Sequence, residues 1–132
     1  MKFMITMSFC ALAVSLSASP THAKAPSGPP ADTVAGVDRC VDLFFDGHGI
    51  LNVNNHCSST IRVKWFFGKS ISAGATLTPQ QSTSTGRDHA DLDKWGNIRY
   101  YACPVDHAHF LDANGKGIQD GTVTTYSCGV TE

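Results

Sequence analysis

At 132 residues, with a formal net charge of −1 and a mean hydropathy of −0.10, the chain has room for one domain and no more. Ten basic side chains against eleven acidic ones leave no electrostatic footprint for DNA, RNA or an anionic lipid surface. A chain this size buries only a modest core, so covalent cross-links are expected to help hold it.

Met1 to Ala23 reads as a secretory signal: Lys2 gives a positive start, Phe3 to Leu16 is mostly apolar, and Thr21-His22-Ala23 supplies small residues for cleavage. The apolar run falls short of the ~20 residues a membrane span needs, so no transmembrane anchor is expected. A competing cut after Ala25 is disfavoured by Pro26. Removal of the signal leaves 109 residues, nine basic against eleven acidic side chains, and takes Cys10 away. Cys40, Cys57, Cys103 and Cys128 remain, an even number in an exported chain, which predicts two disulfides and a secreted or periplasmic location. Residues 24–36, KAPSGPPADTVAG, carry three prolines and no periodicity, and are read as a disordered or extended leader. The folded domain is expected over 37–132.

Within it, Val41-Asp42-Leu43-Phe44-Phe45 and Ile50-Leu51-Asn52-Val53 flank a glycine-rich turn and predict a β-hairpin. A turn centred between His48 and Gly49 sets Cys40 opposite Cys57 and Phe44 opposite Val53. After the turn at Asn54 to Ser58 comes the clearest pattern in the chain. Ile61, Val63, Trp65 and Phe67 alternate with Arg62, Lys64 and Phe66, and successive strand residues point to opposite faces. Thr76-Leu77-Thr78-Pro79 reads as a short edge strand, since Pro79 removes a ladder donor. Gly86 to Gly96 reads as a polar loop or a single helical turn. Asn97 to Cys103 is a further strand, with Ile98, Tyr100 and Ala102 on one side and Arg99, Tyr101 and Cys103 on the other. Val105 to Leu111 resumes weakly, Asp112 to Gly117 is a turn cluster, and the β-branched Thr122 to Tyr126 is expected to close the sheet.

This succession of short strands predicts an all-β fold, a small antiparallel sandwich or partly closed barrel stapled by two disulfides. Sequential pairing, Cys40 with Cys57 and Cys103 with Cys128, makes each bridge a local staple on a hairpin, the second hairpin centring inside the 112–117 turn. Pairing Cys40 with Cys128 and Cys57 with Cys103, or Cys40 with Cys103 and Cys57 with Cys128, stays open.

No residue pattern carries a chemistry. His107 and His109 in Asp106-His107-Ala108-His109 would share one face of a strand and make half of a Zn or Cu site, but no spacing supplies a third ligand. Asp88, Asp91 and Asp93 read as a solvated acidic loop. Asp112 to Gly117 starts like a calcium loop, yet Lys116 stands where an oxygen ligand is wanted and Val123 where a closing Glu is wanted. There is neither a Gly-x-Ser-x-Gly elbow nor a His-Glu-x-x-His helix, and paired cysteines are not nucleophiles. Catalysis and cofactors are therefore not expected. The adjacent aromatics Phe44-Phe45, Trp65-Phe66-Phe67 and Tyr100-Tyr101 must split between two faces. If a second layer leaves the far side bare, Arg62, Lys64, Phe66 and Tyr101 make a candidate binding face.

Asn55-His56-Cys57, Ile61-x-Val63-x-Trp65, Leu77-x-Pro79 and Tyr101-Ala102-Cys103-Pro104 together resemble small secreted bacterial β-domains with an Asn-x-Cys turn, a Val-x-Trp strand and an Ala-Cys-Pro strand end. That resemblance covers most of 40–128 and implies a fold and export, with no assigned activity. The Asn-x-Cys turn is also similar to the opening of thaumatin-like proteins. Four cysteines in place of their dense set, in a far shorter chain, give no ground for carrying over their glucan binding. The expected function is an exported, non-enzymatic binding domain for a protein or glycan partner. The alternatives are a metal-binding protein using His107 and His109, and a small secreted hydrolase or effector.

Overall fold

The computed structural model describes residues 32–69 and 71–130. The expected signal, 1–23, and the first part of the leader lie outside the described residues. Nine strands and one short helix follow in order: β1 (Thr33–Ala35), β2 (Val41–Phe45), β3 (Ile50–Asn55), β4 (Ile61–Phe67), β5 (Ile71–Leu77), β6 (Ser82–Asp88), α1 (His89–Trp95), β7 (Ile98–Pro104), β8 (His109–Asp112) and β9 (Tyr126–Gly129). They form three antiparallel three-stranded sheets, ordered β2-β3-β6, β5-β4-β7 and β1-β9-β8. The fold is all-β and antiparallel, and none of the three sheets closes into a barrel.

The sheet β5-β4-β7 is the middle layer, because both faces of β4 are apolar. Ile61, Val63, Trp65 and Phe67 pack with Val41, Leu51 and Val53 of the first sheet, joined by Leu77 and Ala102. On the reverse face Phe66, Tyr101 and Cys103 pack with Phe110, Cys128 and Ile118 from the third sheet and its loop. Each large side chain buried here contributes about 1.5–3 kcal/mol by leaving water. The alternation read along β4 and β7 is thus realised: Ile61, Val63, Trp65, Phe67, Ile98, Tyr100 and Ala102 belong to one core, and of their neighbours Phe66, Tyr101 and Cys103 belong to the other. Cross-strand partners such as Val63 and Ala102, or Lys64 and Tyr101, share a face as the ladder requires.

Disulfides join Cys40 to Cys57 and Cys103 to Cys128, with Cα atoms 5.1 and 5.6 Å apart. The sequential pairing is therefore the one adopted. The first bridge clamps the open end of the β2–β3 hairpin. The second is not a hairpin staple: Cys103 lies on β7 and Cys128 on β9, so it bolts the middle sheet to the third. β9 pairs with β8, Phe110 opposite Cys128, and not with β7.

Other expectations also shift. Thr33–Ala35, inside the expected leader, is an edge strand on β9. In the first hairpin Leu43, not Phe44, faces Val53, because the turn centres on His48. Asp46 Oδ1 accepts from the amides of His48 and Ile50 at 2.9 and 3.1 Å, and Gly49 takes φ +74°, a left-handed angle that disfavours any side chain. The edge strand foreseen at Thr76 is the end of a longer strand, β5, that stops before Pro79. The polar stretch after Gly86 contains α1, started by a reciprocal cap in which Asp88 accepts from the Asp91 amide and Asp91 from the Asp88 amide. Thr122 to Thr125 is not a strand: the Val123 carbonyl accepts instead from Tyr101 Oη at 2.7 Å and Arg99 Nη2 at 3.2 Å.

The turn after β3 is pinned by Asn55, whose amide is fully buried. Its Nδ2 lies 2.8, 3.1 and 3.2 Å from the carbonyls of Ser59, Leu77 and Thr78, and its Oδ1 accepts from the Cys57 amide at 3.0 Å. A buried amide is tolerated when its groups are paired, and here the pairing ties the disulfide turn to the end of β5.

Candidate functional site

The face expected from Arg62, Lys64, Phe66 and Tyr101 divides in two. Phe66 and Tyr101 are 2% and 1% exposed, their rings meeting edge to face at 5.9 Å beneath the third sheet. That corrects the expectation of an aromatic surface there, since β8, β9 and Ile118 supply the covering layer. Arg62 and Lys64 stay half-buried at the margin of that layer. Lys64 Nζ donates to the Ile118 carbonyl at 2.8 Å and lies 5.2 Å from the Phe66 ring centroid, while Arg62 Nη1 donates to Thr76 Oγ1 at 3.3 Å.

His107 and His109 do not share a strand face. His107 ends a single 3₁₀ turn, Val105–His107, with its Nδ1 3.1 Å from Asp106 Oδ1, and His109 opens β8. Among the described residues no group of three or more His, Cys, Asp or Glu side chains is placed to hold a metal ion. Asp88 and Asp91 cap α1, and Asp112 Oδ1 accepts from the amides of Asn114 and Lys116, both at 2.9 Å. These carboxylates have local structural work.

A cleft of about 290 Å³ opens where Asp38, Arg99, Tyr100, Thr124 and Tyr126 meet. Its polar groups are largely engaged with one another. Tyr126 Oη donates to Asp38 Oδ1, and the Ala102 amide donates to both, at 2.9 Å to the phenol and 3.1 Å to the carboxylate. Burial pushes the Tyr126 phenol far up, and the Asp38 carboxylate reinforces the shift. Burial likewise raises Tyr100, followed by the charges of Asp38 and Asp42. Phenols held protonated in this way act as hydrogen-bond donors. This arrangement fastens the segment after β1 to β7. No local pattern announces it, because Asp38 and Tyr126 lie 88 residues apart.

The chain matches no family model, no curated protein and no solved structure. Its surface must therefore be read on its own terms.

One part of that surface departs from the ordinary. β2 is the edge of its sheet, and no strand among the described residues pairs with its outer side. Leu43, Phe44 and Phe45 along it are 36%, 42% and 37% exposed. Leu43 faces Val53 and Phe45 faces Leu51, so both stand at the rim of the first core, whereas Phe44 faces Asn52 on the other side of the sheet. Phe45 stacks on the His89 ring at 3.7 Å, the first residue of α1. Apolar side chains therefore wrap both sides of an open edge. The doubled aromatics drew attention in the sequence, but which pair would remain outside depended on sheet order.

Proposed function

We propose that this chain is a small exported, non-catalytic binding domain that takes a protein partner along β2. The observation that carries this reading is the run Leu43-Phe44-Phe45, exposed on an unpaired strand edge. An open edge offers a row of backbone donors and acceptors, and soluble proteins ordinarily blunt such edges with Lys, Pro or bulges. Here the edge carries three large apolar residues. Addition of an extended segment would draw affinity from main-chain hydrogen bonds and specificity from side chains alternating over both sides. A sugar ring favours a flat platform on one face, so the wrapped edge favours protein over glycan. Export is supported by the signal-like pattern of Met1 to Ala23 and by two disulfides, which persist in oxidising compartments. No helix among the described residues is long and apolar enough to cross a membrane.

The test is capture of envelope or extracellular proteins by wild type and by Phe44→Lys, with amide exchange followed in the bound state. Expected is a partner held by wild type and lost by the variant, with slowed exchange at residues 42–45 on binding. Equal capture by both proteins, or a partner that leaves those amides unprotected, would overturn the reading.

A further inference from the structure

Away from β2, the reverse face of the middle sheet is only partly covered. The third sheet roofs the β7 side, over Phe66, Tyr101 and Cys103, and stops before β5. Along the uncovered margin Arg62 lies opposite Thr76, Lys64 opposite Gly74 and Phe66 opposite Ser72, so these residues share one face. A recess of about 260 Å³ results, with Arg62 and Lys64 on one wall, Ser72 and Gly74 on a second, and Ala108 and Phe110 on a third.

Its charge is one-sided. Arg62 and Lys64 are two residues apart on one strand, which holds them about 7 Å from each other. Neither has a carboxylate within 4.0 Å among the described residues, and no acidic side chain lines the recess. Both are half-buried, as is Arg87 on β6, whereas Arg39, Lys69, Lys94, Arg99 and Lys116 are exposed. Two like charges drawn partly out of water repel more strongly than at an open surface, and an anion between them relieves the repulsion. Donors remain for it. Lys64 uses one of its three N–H groups on Ile118, and Arg62 uses one of its five on Thr76. Gly74 keeps the space open: a Cβ there would sit 2.8 Å from the Val63 carbonyl and 3.5 Å from Arg62 Nη2.

We infer that this recess binds a hexuronic acid unit, its carboxylate between Arg62 and Lys64 and its ring against Phe110 and Ala108. The space is far larger than a bare oxyanion and suits one sugar ring. The lining adds the hydroxyl of Ser72 and the apolar surface of Ala108 and the exposed rim of Phe110, the kind of surface the C–H face of a ring requires. The site is separate from β2, so neither proposal depends on the other.

Titration of the folded protein with glucuronate, glucose and sulfate, read by heat and by NMR shifts, tests it. Expected is millimolar glucuronate binding that weakens as salt rises, with glucose undetected and sulfate at least about tenfold weaker. Arg62→Gln should weaken glucuronate about tenfold or more, the scale of one charge-assisted hydrogen bond. Ser72→Asp should abolish it without altering either cation, which keeps the test decisive if Lys64→Gln disturbs the Ile118 contact. Arg99→Gln and Phe44→Lys should leave it unchanged. Sulfate binding as tightly as glucuronate would overturn the sugar assignment. No binding by either anion, or binding indifferent to Arg62→Gln and Ser72→Asp, would overturn the site.

Discussion

β2 and β4 carry nearly the same message in sequence and meet opposite fates. Each holds adjacent large apolar residues, Leu43-Phe44-Phe45 in one and Trp65-Phe66-Phe67 in the other. All three of the first set are more than a third exposed, and all three of the second are 3% exposed or less. β4 is central in its sheet and that sheet is central among three, so each face finds a partner layer. β2 is an edge, and its apolar side chains overhang the rim of a core whose space Leu51 and Val53 already fill. Whether an aromatic run is core or contact surface is thus decided by its place in the sheet order, and the lone residues matter less.

The largest effect that would sharpen this contrast is at Phe66. Phe66→Ala leaves a void between two sheets and should cost about 3–5 kcal/mol, against within about 0.5–1 kcal/mol for Phe44→Ala. Denaturant midpoints of the two variants measure it directly. Similar losses in both would mean that the β2 edge is covered in the folded protein.

Next in size is the bridge that joins the layers around β4. Replacing Cys103 and Cys128 together by Ala should lower stability by about 3 kcal/mol through loss of a cross-link spanning 25 residues. The Cys40–Cys57 pair, spanning 17, should cost nearly as much, because the closure term grows only slowly with length. The two losses should differ in kind. Without the inter-sheet bridge, amide protection should fall in β8 and β9 first; without the hairpin bridge, in β2 and β3. Asn55→Ala comes slightly lower, at about 2–3 kcal/mol, since it removes a buried donor shared by three carbonyls and the acceptor of the Cys57 amide at the junction of β3 and β5. Thermal unfolding of Asn55→Ala beside Asn54→Ala checks it, the half-exposed neighbour serving as control.

The contrast also shows what a sequence can disclose. Period-two alternation is local, so the two faces of β4 and β7 were legible down to single residues; the cysteine count announced two disulfides, but three pairings stayed open, and that the second bridge joins two sheets was not visible. Register in the first hairpin differs by one residue from what spacing alone implies, because the Asp46 side chain, accepting from the amides of His48 and Ile50, centres the turn on His48. β5 between Ile71 and Leu77, and β6 as far as Gly86, consist of Ser, Thr, Ala and Gly, and owe their strands to backbone pairing with β4 and β3 rather than to apolar pattern. The β-branched run Thr122 to Thr125 had the propensity of a strand, but the side chains of Tyr101 and Arg99 take the Val123 carbonyl and Val123 packs against the second core. For the candidate sites, Arg62 and Lys64 were visible as a pair, whereas exposure of Phe44 and burial of Phe66 depend on contacts between distant segments.

The smallest effect lies at the β2 end, in the turn that sets its register. Asp46 accepts from Asn52 Nδ2 at 3.0 Å and from two turn amides, and these bonds, the Asn52 contact foremost, hold its carboxyl below the ordinary value of 3.8. A depressed carboxylate stabilises the fold fully above its unfolded pKa, and the contribution disappears as pH falls through the lower folded one. Wild type should therefore lose stability on acidification below pH 3.8 more steeply than Asp46→Ala, and the two should run parallel above it. Asp106 and Asp120 are depressed as well, by His107 and Thr122, and give an acid limb of the same sign in both proteins, so only the difference between the curves reports the turn. Since Asp46 is only half-buried, solvent screens the interaction and the difference should be small. It should be plainest in the protection factors of the His48 and Ile50 amides, taken relative to intrinsic exchange at each pH, which should fall in acid in wild type and be low at every pH in the variant. A variant whose β2 amides kept their protection would show that the edge strand is held by β3 and the Cys40–Cys57 bridge alone, with the turn following the strands instead of setting them.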